Sequence, residues 1–120
     1  MTRDLKKLSK TMPDVTFVVL GQRIRGAQRR DDPTPEINDA DGRGVERNAD
    51  VIVGLWFPAN WLRRQKPKRN ISEDADKWEA EMRRLEGKAE AITLKHRRRK
   101  AFQQCELRFD GNRMRFEDFQ

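Results

Sequence analysis

The densest group of side chains that could do chemistry is a basic run, Lys95-His96-Arg97-Arg98-Arg99-Lys100. Neighbouring cations repel one another unless an anion lies close by, although many such runs are simply solvated turns. In an extended chain, a spacing of two places Lys95 and Arg97 on the same face. Arginine also offers a planar set of donors that matches phosphate oxygens. The run therefore predicts either a pair that contacts phosphate or a solvated basic turn.

Two further segments carry residues suited to phosphate. Gln22 follows the apolar run 15–20, and ligands of open α/β sheets bind just beyond the ends of such strands. Gly42 and Gly44 flank Arg43; glycines let a backbone approach a phosphate closely, and the arginine adds charge. Each segment also has a plain structural interpretation, as a hydrogen-bonded loop glutamine and as an ordinary glycine-rich turn.

Composition narrows the possible partners and sites. The 120 residues include 27 Lys+Arg and 20 Asp+Glu, and the net charge of +7 favours polyanions such as nucleic acid or nucleotide phosphates over membranes. One cysteine and one histidine exclude a Cys/His zinc site, so no metal site is expected. Only 35% of the residues are hydrophobic, which predicts one domain with a thin core. No apolar run approaches the roughly 20 residues of a membrane span, and a cytoplasmic protein is expected.

The hydrophobic pattern divides the chain into four segments. Residues 1–57 are predicted to form a helix, a strand, a long loop with a short helix near 44–48, and a second strand. Residues 58–71 are predicted to form a basic loop, which is solvated or touches nucleic acid non-specifically. Residues 72–87 are predicted to be a helix, and residues 88–120 strands that end in a hairpin turning at Asp110-Gly111-Asn112.

These elements together predict a fold class. The runs 15–20 and 51–56 are apolar on both faces, as is typical of strands buried inside parallel α/β sheets. The expected fold is therefore α/β, with buried parallel strands followed by a C-terminal antiparallel hairpin, in one domain of 120 residues.

Four stretches, taken in order, carry a resemblance to a known family. They are Leu20-Gly21-Gln22, Asp41-Gly42-Arg43-Gly44-Val45-Glu46-Arg47-Asn48-Ala49-Asp50, Lys95-His96-Arg97 at a strand end, and the closing hairpin with Arg115-Phe116-Glu117-Asp118. They are similar to the family patterns Leu-Ser-Gln, Arg-Glu-Ser-Gly-Ser-Ile-Glu-Gln-Asp-Ala-Asp, Lys-Gln-Arg and Arg-Phe-Glu-Asp. The ordered set resembles the C-terminal half of the RecA-like motor domain of DnaB-type replicative DNA helicases.

The resemblance implies a role for each candidate residue. Lys95 and Arg97 would reach the nucleotide pocket of the neighbouring subunit and stabilise charge on the transferring phosphoryl group. Gln22 would sense the γ-phosphate or orient the attacking water. Arg43, between Gly42 and Gly44, would belong to a pore loop that follows the phosphates of single-stranded DNA.

The resemblance also implies cofactors and partners. ATP and Mg²⁺ would be the cofactors of the full motor. The partners would be single-stranded DNA, the ATP-binding half of the same or a neighbouring subunit, and further copies in a hexamer. A phage or plasmid replication system is the expected setting.

Two family motifs are missing from this chain. No G-x-x-x-x-G-K-[ST] phosphate loop occurs, and neither does the strand ending in an acidic Mg²⁺-binding residue. We therefore expect no ATP hydrolysis by this chain alone and no bound cofactor. The chain is expected to be either one part of an ATP-dependent helicase motor or a degenerate relative. In the second case it would be a non-catalytic basic nucleic-acid-binding or interaction protein that kept the fold.

Overall fold

The computed structural model describes residues 2–40, 42, 44–67 and 72–119. The helices are α1 (Thr2–Thr11), α2 (Val45–Asn48), α3 (Pro58–Arg64) and α4 (Ser72–Leu85). The strands are β1 (Val51–Trp56), β2 (Lys88–His96), β3 (Gln104–Asp110) and β4 (Arg115–Asp118), and they form one sheet in the order β1-β2-β3-β4. Two 3₁₀ turns, Arg25–Arg29 and Ile37–Asp39, lie in the long segment between α1 and α2.

The sheet is antiparallel. Strands β2 and β3 pair with Ala91 opposite Cys105, and β3 and β4 pair as the predicted hairpin. The Arg97 N–H donates to the Asp50 carbonyl at 3.0 Å, which places the end of β2 beside the start of β1. The prediction of buried parallel strands is therefore wrong for the described residues. Exposed and half-buried residues alternate along β1, which is the pattern of a sheet with one open face.

The apolar segment 15–20 does not form the predicted strand. Its residues are exposed, with Val18 82% and Leu20 94% accessible. Among the described residues no strand pairs with this segment. A strand needs a neighbour for its backbone N–H and C=O groups, so apolar side chains alone are not sufficient to create one.

The helices follow the predictions except between residues 58 and 71. Helices α1, α2 and α4 confirm the helices predicted near 2–12, 44–48 and 72–87. The predicted basic loop is wrong for its first half, which forms α3. Pro58 occupies the start of this helix, where its missing N–H costs nothing, and Arg63 and Arg64 stand in the last turn, where cations suit the helix dipole. Residues 68–71 of the predicted loop lie outside the described residues.

The chain divides into two compact units. The first unit comprises Met1–Gly54 and Thr93–Gln103, and the second comprises Leu55–Ile92 and Gln104–Gln120. Among the described residues, the buried apolar side chains other than prolines are Ala27 and Leu94 in the first unit and Ala59, Ala89 and Ile92 in the second. Most of these are alanines, so the core is as thin as the composition predicts.

Aromatic packing and one indole hydrogen bond organise the second unit. The rings of Phe57, Phe109 and Phe116 lie with centroids 4.9 to 6.1 Å apart. The Trp78 indole N–H on α4 donates to the Leu62 carbonyl on α3 at 2.9 Å. The Leu62 carbonyl also accepts from the Gln65 N–H at 2.9 Å, so the indole is its second donor and joins α4 to α3. The residues singled out for phosphate chemistry all belong to the first unit.

Candidate functional site

Lys95 and Arg97 lie side by side at the end of β2 and contact the same short helix. The Lys95 ammonium donates to the Glu46 carbonyl, and the Arg97 guanidinium donates to the Arg47 carbonyl at 2.9 Å. Both acceptors are carbonyls of the single turn of α2, and the carbonyls at a helix end are open to donors from outside the helix. The predicted common face of Lys95 and Arg97 is thus seen in the structure. Their partners within the chain were not predicted.

Asp50 holds the Arg97 guanidinium from a second side. Its carboxylate forms an ion pair with Arg97, with 3.1 Å between Nη1 and Oδ1, and accepts a hydrogen bond from Lys6 on α1 at 2.6 Å. The hydrogen bond from Lys6, followed by the positive charges of Lys6 and Arg97, lowers the pKa of the Asp50 carboxyl. The Asp50 side chain is 59% exposed and that of Arg97 44%. An exposed ion pair of this kind contributes about 0–1 kcal/mol, so an incoming anion could displace it.

The glycine-rich loop leads directly into α2. Gly42 and Gly44 both have positive φ, and Gly44 is the N-cap of the helix, with its carbonyl accepting from the Asn48 N–H at 2.9 Å. A Cβ at residue 44 would lie 2.9 Å from the side-chain Nδ2 of Asn48 and 3.3 Å from the side-chain hydroxyl of Thr2. The positive φ therefore favours glycine there, and a larger residue would also displace the Asn48 side chain. Arg43, the predicted DNA contact, lies outside the described residues.

Gln22 is exposed and lies near the start of the long segment between α1 and α2, which contains the glycine-rich loop. The next residue, Arg23, forms an isolated antiparallel bridge with Ala40, and the Ile24 N–H donates to the Asp39 carbonyl at 2.8 Å. The predicted position of Gln22, beyond the end of a buried strand, is wrong because residues 15–20 form no strand. Its role towards a phosphate stays a prediction.

A groove of about 1070 Å³ lies beside α2 in the first unit. It is lined by Thr2, Arg3, Ile37, Gly44, Glu46, Arg47, Asn48 and Lys95. Three of these side chains are cationic and one is anionic, so the lining carries a net positive charge. The structure thus brings the glycine-loop residue Gly44 and the basic residue Lys95 to one surface.

The donor set of this site suits phosphate. Among the residues that the structure describes, no three His, Cys, Asp or Glu side chains are grouped to hold a metal ion. Lys95 and Arg97 supply N–H donors that match phosphate oxygens, so they could contact ATP from one side. The sequence has no loop to wrap the phosphates. No helix within the described ranges is long and apolar enough to cross a bilayer.

Comparison with known proteins gives the family. The model of the DnaB-like helicase C-terminal domain matches residues 1–118. The chain belongs to this family. The resemblance seen in the sequence motifs is thereby confirmed over nearly the whole length.

Individual relatives of this DnaB-like domain agree with the family match. The chain is 26% identical over 101 residues to the replicative DNA helicase DnaB of Rickettsia bellii (strain RML369-C), covering 81% of this chain and 20% of that helicase. Its fold is similar to that of a solved ATPase domain, with a TM-score of 0.70, 24% identity and coverage of 99% of this chain and 35% of the other. It is also similar to a DnaB-like replicative helicase studied for its interactions with primase, with a TM-score of 0.73, 22% identity and coverage of 99% and 24%.

These matches also show how much of each relative's length the DnaB-like domain covers. It spans about a fifth of the curated relative and about a third and a quarter of the two solved chains. The mixed α/β fold is related to the ATPase domains of DnaB-like helicases. A RecA-like relationship follows in general terms, even though the described strands form an antiparallel sheet.

One polar cluster of the DnaB-like domain was missed from the sequence. Asp39 is 2% exposed, and its carboxylate accepts from Arg23 at 2.9 Å, from Arg30 at 2.9 Å and from the Glu36 N–H at 2.9 Å. The two guanidinium groups also donate to the Pro33 and Thr34 carbonyls. The hydrogen bond from Arg30, with those from Glu36 and Arg23, lowers the pKa of Asp39 to about 2.

This cluster folds the long loop that carries the glycine motif. The loop has no hydrophobic period, so pattern analysis left it without structure. The available signal was its charge, because Arg23 and Arg30 precede the oppositely charged Asp39 in a segment with two prolines. Such a charge pattern is common in solvated loops as well, and only the folded chain shows which charges meet.

Proposed function

We propose that this chain is a working part of an ATP-dependent replicative DNA helicase motor, in which Lys95 and Arg97 contact nucleotide phosphates bound by a neighbouring subunit. The loop with Gly42, Arg43 and Gly44 would contact single-stranded DNA. The ATP-binding half would come from the same or a neighbouring helicase subunit, and the full motor would be a hexamer. ATP with Mg²⁺ would be bound by that half, since this sequence has no phosphate loop.

One observation carries the proposal: the two predicted contact sets meet on α2. Lys95 and Arg97 donate to carbonyls at the C-terminal end of this helix, and Gly44 caps its N-terminal end. This helix has four residues and is only about 6 Å long, so the two contact sets lie close together. This arrangement fits a motor, which must link phosphate contact to movement along DNA.

Matched charge-removing variants test this assignment. Arg43→Gln should weaken binding to a labelled oligo-dT strand and reduce the slope of log affinity against log salt by about 0.7, because one phosphate contact is lost. Arg97→Gln removes the same charge but keeps a donor for the Arg47 carbonyl, so it should leave DNA affinity unchanged. Fluorescence anisotropy at several salt concentrations measures both.

A fusion of this chain to the ATP-binding half of a DnaB-type helicase gives the second readout. There Arg97→Gln should lower ATP turnover by about 10³-fold or more, as expected for an arginine that contacts the transferring phosphoryl group. Full ATP turnover by the Arg97→Gln fusion would refute the phosphate-contact role.

The alternative is a non-catalytic basic nucleic-acid-binding protein, which the missing phosphate loop favours. In that case the densest charge run should dominate DNA affinity. Arg97→Gln would then weaken DNA binding at least as much as Arg43→Gln. That ranking would replace the motor proposal with the alternative.

A further inference from the structure

The groove beside α2 has a chemistry that the roles of Lys95 and Arg97 do not account for. We define the basic groove by Thr2, Arg3, Gly44, Arg47, Asn48 and Lys95. Ile37 and Glu46 also line it, so three cationic side chains stand against one carboxylate. Arg3 on α1 and Arg47 on α2 both have exposed side chains, and both line this surface. Neither belongs to the loop or to the strand end that the sequence analysis singled out.

The groove offers neutral donors and close backbone access as well as charge. The Asn48 side-chain amide donates to the Thr2 hydroxyl at 3.2 Å, which uses one of its two N–H donors. Gly44 forms part of the wall, and a side chain there would cover Asn48 and Thr2. A narrow polar anion can therefore approach donors and backbone together.

Of the two basic residues at the end of β2, only one lines the groove. Lys95 lines it and is fixed there by its bond to the Glu46 carbonyl. Arg97 is not among the lining residues and is turned to Asp50 and the Arg47 carbonyl instead. Arg97 therefore lies outside the groove, whereas Lys95 belongs both to the groove and to the strand end.

We propose that the basic groove binds the phosphate backbone of single-stranded DNA, with Arg3 and Arg47 as its principal contacts. This inference rests on the proposed function and extends the DNA path from the loop around Gly44 along α2 to the start of α1. Cations distributed along an open groove suit a chain of single-charged phosphodiesters. A nucleotide triphosphate held by this groove alone would instead require a loop of converging N–H groups, and this sequence has none of the known kind.

A double variant with a matched control tests the groove. Arg3→Gln with Arg47→Gln should reduce the salt slope for labelled oligo-dT by about 1.4, because two phosphate contacts are lost at about 0.7 each. Arg25→Gln with Arg29→Gln removes the same charge from exposed positions of the same unit and should leave the slope nearly unchanged. Equal losses in the two double variants would overturn the proposal, since only net charge would then matter.

Two further measurements test whether the groove binds through its positive charge and whether it prefers DNA to a nucleotide-like phosphate chain. Arg3→Lys with Arg47→Lys should restore most of the affinity, because lysine also neutralises phosphate. In NMR spectra the Asn48 side-chain amide should shift on addition of oligo-dT and not on addition of inorganic tripolyphosphate at equal charge. A shift with tripolyphosphate alone would assign the groove to a nucleotide and overturn the DNA proposal.

The outcome also separates this inference from the proposed function. If Arg43→Gln weakens DNA binding and the groove variant does not, the groove is wrong and the motor assignment stands. If neither variant changes DNA affinity, both the groove and the DNA role of the loop are refuted. Circular dichroism of each variant, with a melting temperature close to that of the parent, ensures that folded proteins are compared.

Discussion

At the residue scale, spacing predicted which side chains share a face, and the folded chain determined what they contact. Lys95 and Arg97 are two residues apart on β2 and point to the same helix. Their acceptors, the Glu46 and Arg47 carbonyls, lie about 50 positions earlier in the chain. Asp50 forms an ion pair with Arg97, and the sequence did not indicate this contact.

Asp39 is the residue whose loss should cost most stability in the first unit. We expect Asp39→Asn to lower the free energy of unfolding at neutral pH by about 2 kcal/mol, the value of a pKa held near 2 instead of 3.8. The asparagine removes the charge that holds the Arg23 and Arg30 guanidiniums. Urea denaturation measures the change, and Asp31→Asn, at an exposed position, should have no effect.

The same carboxyl predicts a pH dependence. Because the pKa of Asp39 is lower in the folded state, its contribution is fully present above pH 4 and is lost as the pH falls towards about 2. The parent should therefore lose stability over this range more steeply than Asp39→Asn does. Parallel acid curves for the two proteins would contradict the assignment.

At the element scale, the contact between the folded loop and the sheet depends on one glycine. A Cβ at Gly54 on β1 would lie 2.5 Å from the Pro35 Cβ and 3.1 Å from the Leu94 Cδ1. We expect Gly54→Ala to destabilise the protein by about 1–3 kcal/mol, because a packed contact is forced apart. Thermal unfolding measures it.

The matched control is Gly21→Ala. A Cβ at Gly21 would meet no heavy atom within 4 Å, so this variant should be neutral. A neutral Gly54→Ala would mean that the loop does not pack against β1 in solution.

At the scale of the whole molecule, segment 15–20 stands out because its apolar side chains are exposed to solvent. Val18 and Leu20 present apolar side chains to solvent, and the segment has no strand neighbour among the described residues. Exposed apolar chain with open backbone groups is prone to pair with another molecule. We expect the isolated chain to self-associate, with an apparent mass in light scattering that rises with concentration.

Charged substitutions locate that association. Val18→Lys with Leu20→Lys should shift the protein towards monomer. Phe102→Lys with Met114→Lys adds the same charge at two other exposed apolar positions and should not. A parent that stays monomeric at all concentrations would show that the segment is covered in another way.

The amino-acid sequence by itself determined helices α1, α2 and α4 and the C-terminal hairpin, because capping residues, hydrophobic period and turn residues act locally. It also determined the shared face of Lys95 and Arg97 and, through ordered motifs, the family. The sequence could not show that residues 15–20 would lack a strand, since strand formation depends on a partner edge. The parallel sheet was wrongly predicted for the same reason.

Only the tertiary structure decided where charged groups meet. The Asp39 cluster, the pairing of Asp50 with Lys6 and Arg97, and the groove between α1 and α2 join residues that are separated by up to 93 positions, from Thr2 to Lys95. Ion pairs and hydrogen bonds form between groups that are close in space. Local patterns along the chain carry no information about which distant residues come together. For this reason the sequence identified the basic residues, and only the fold showed what each of them contacts.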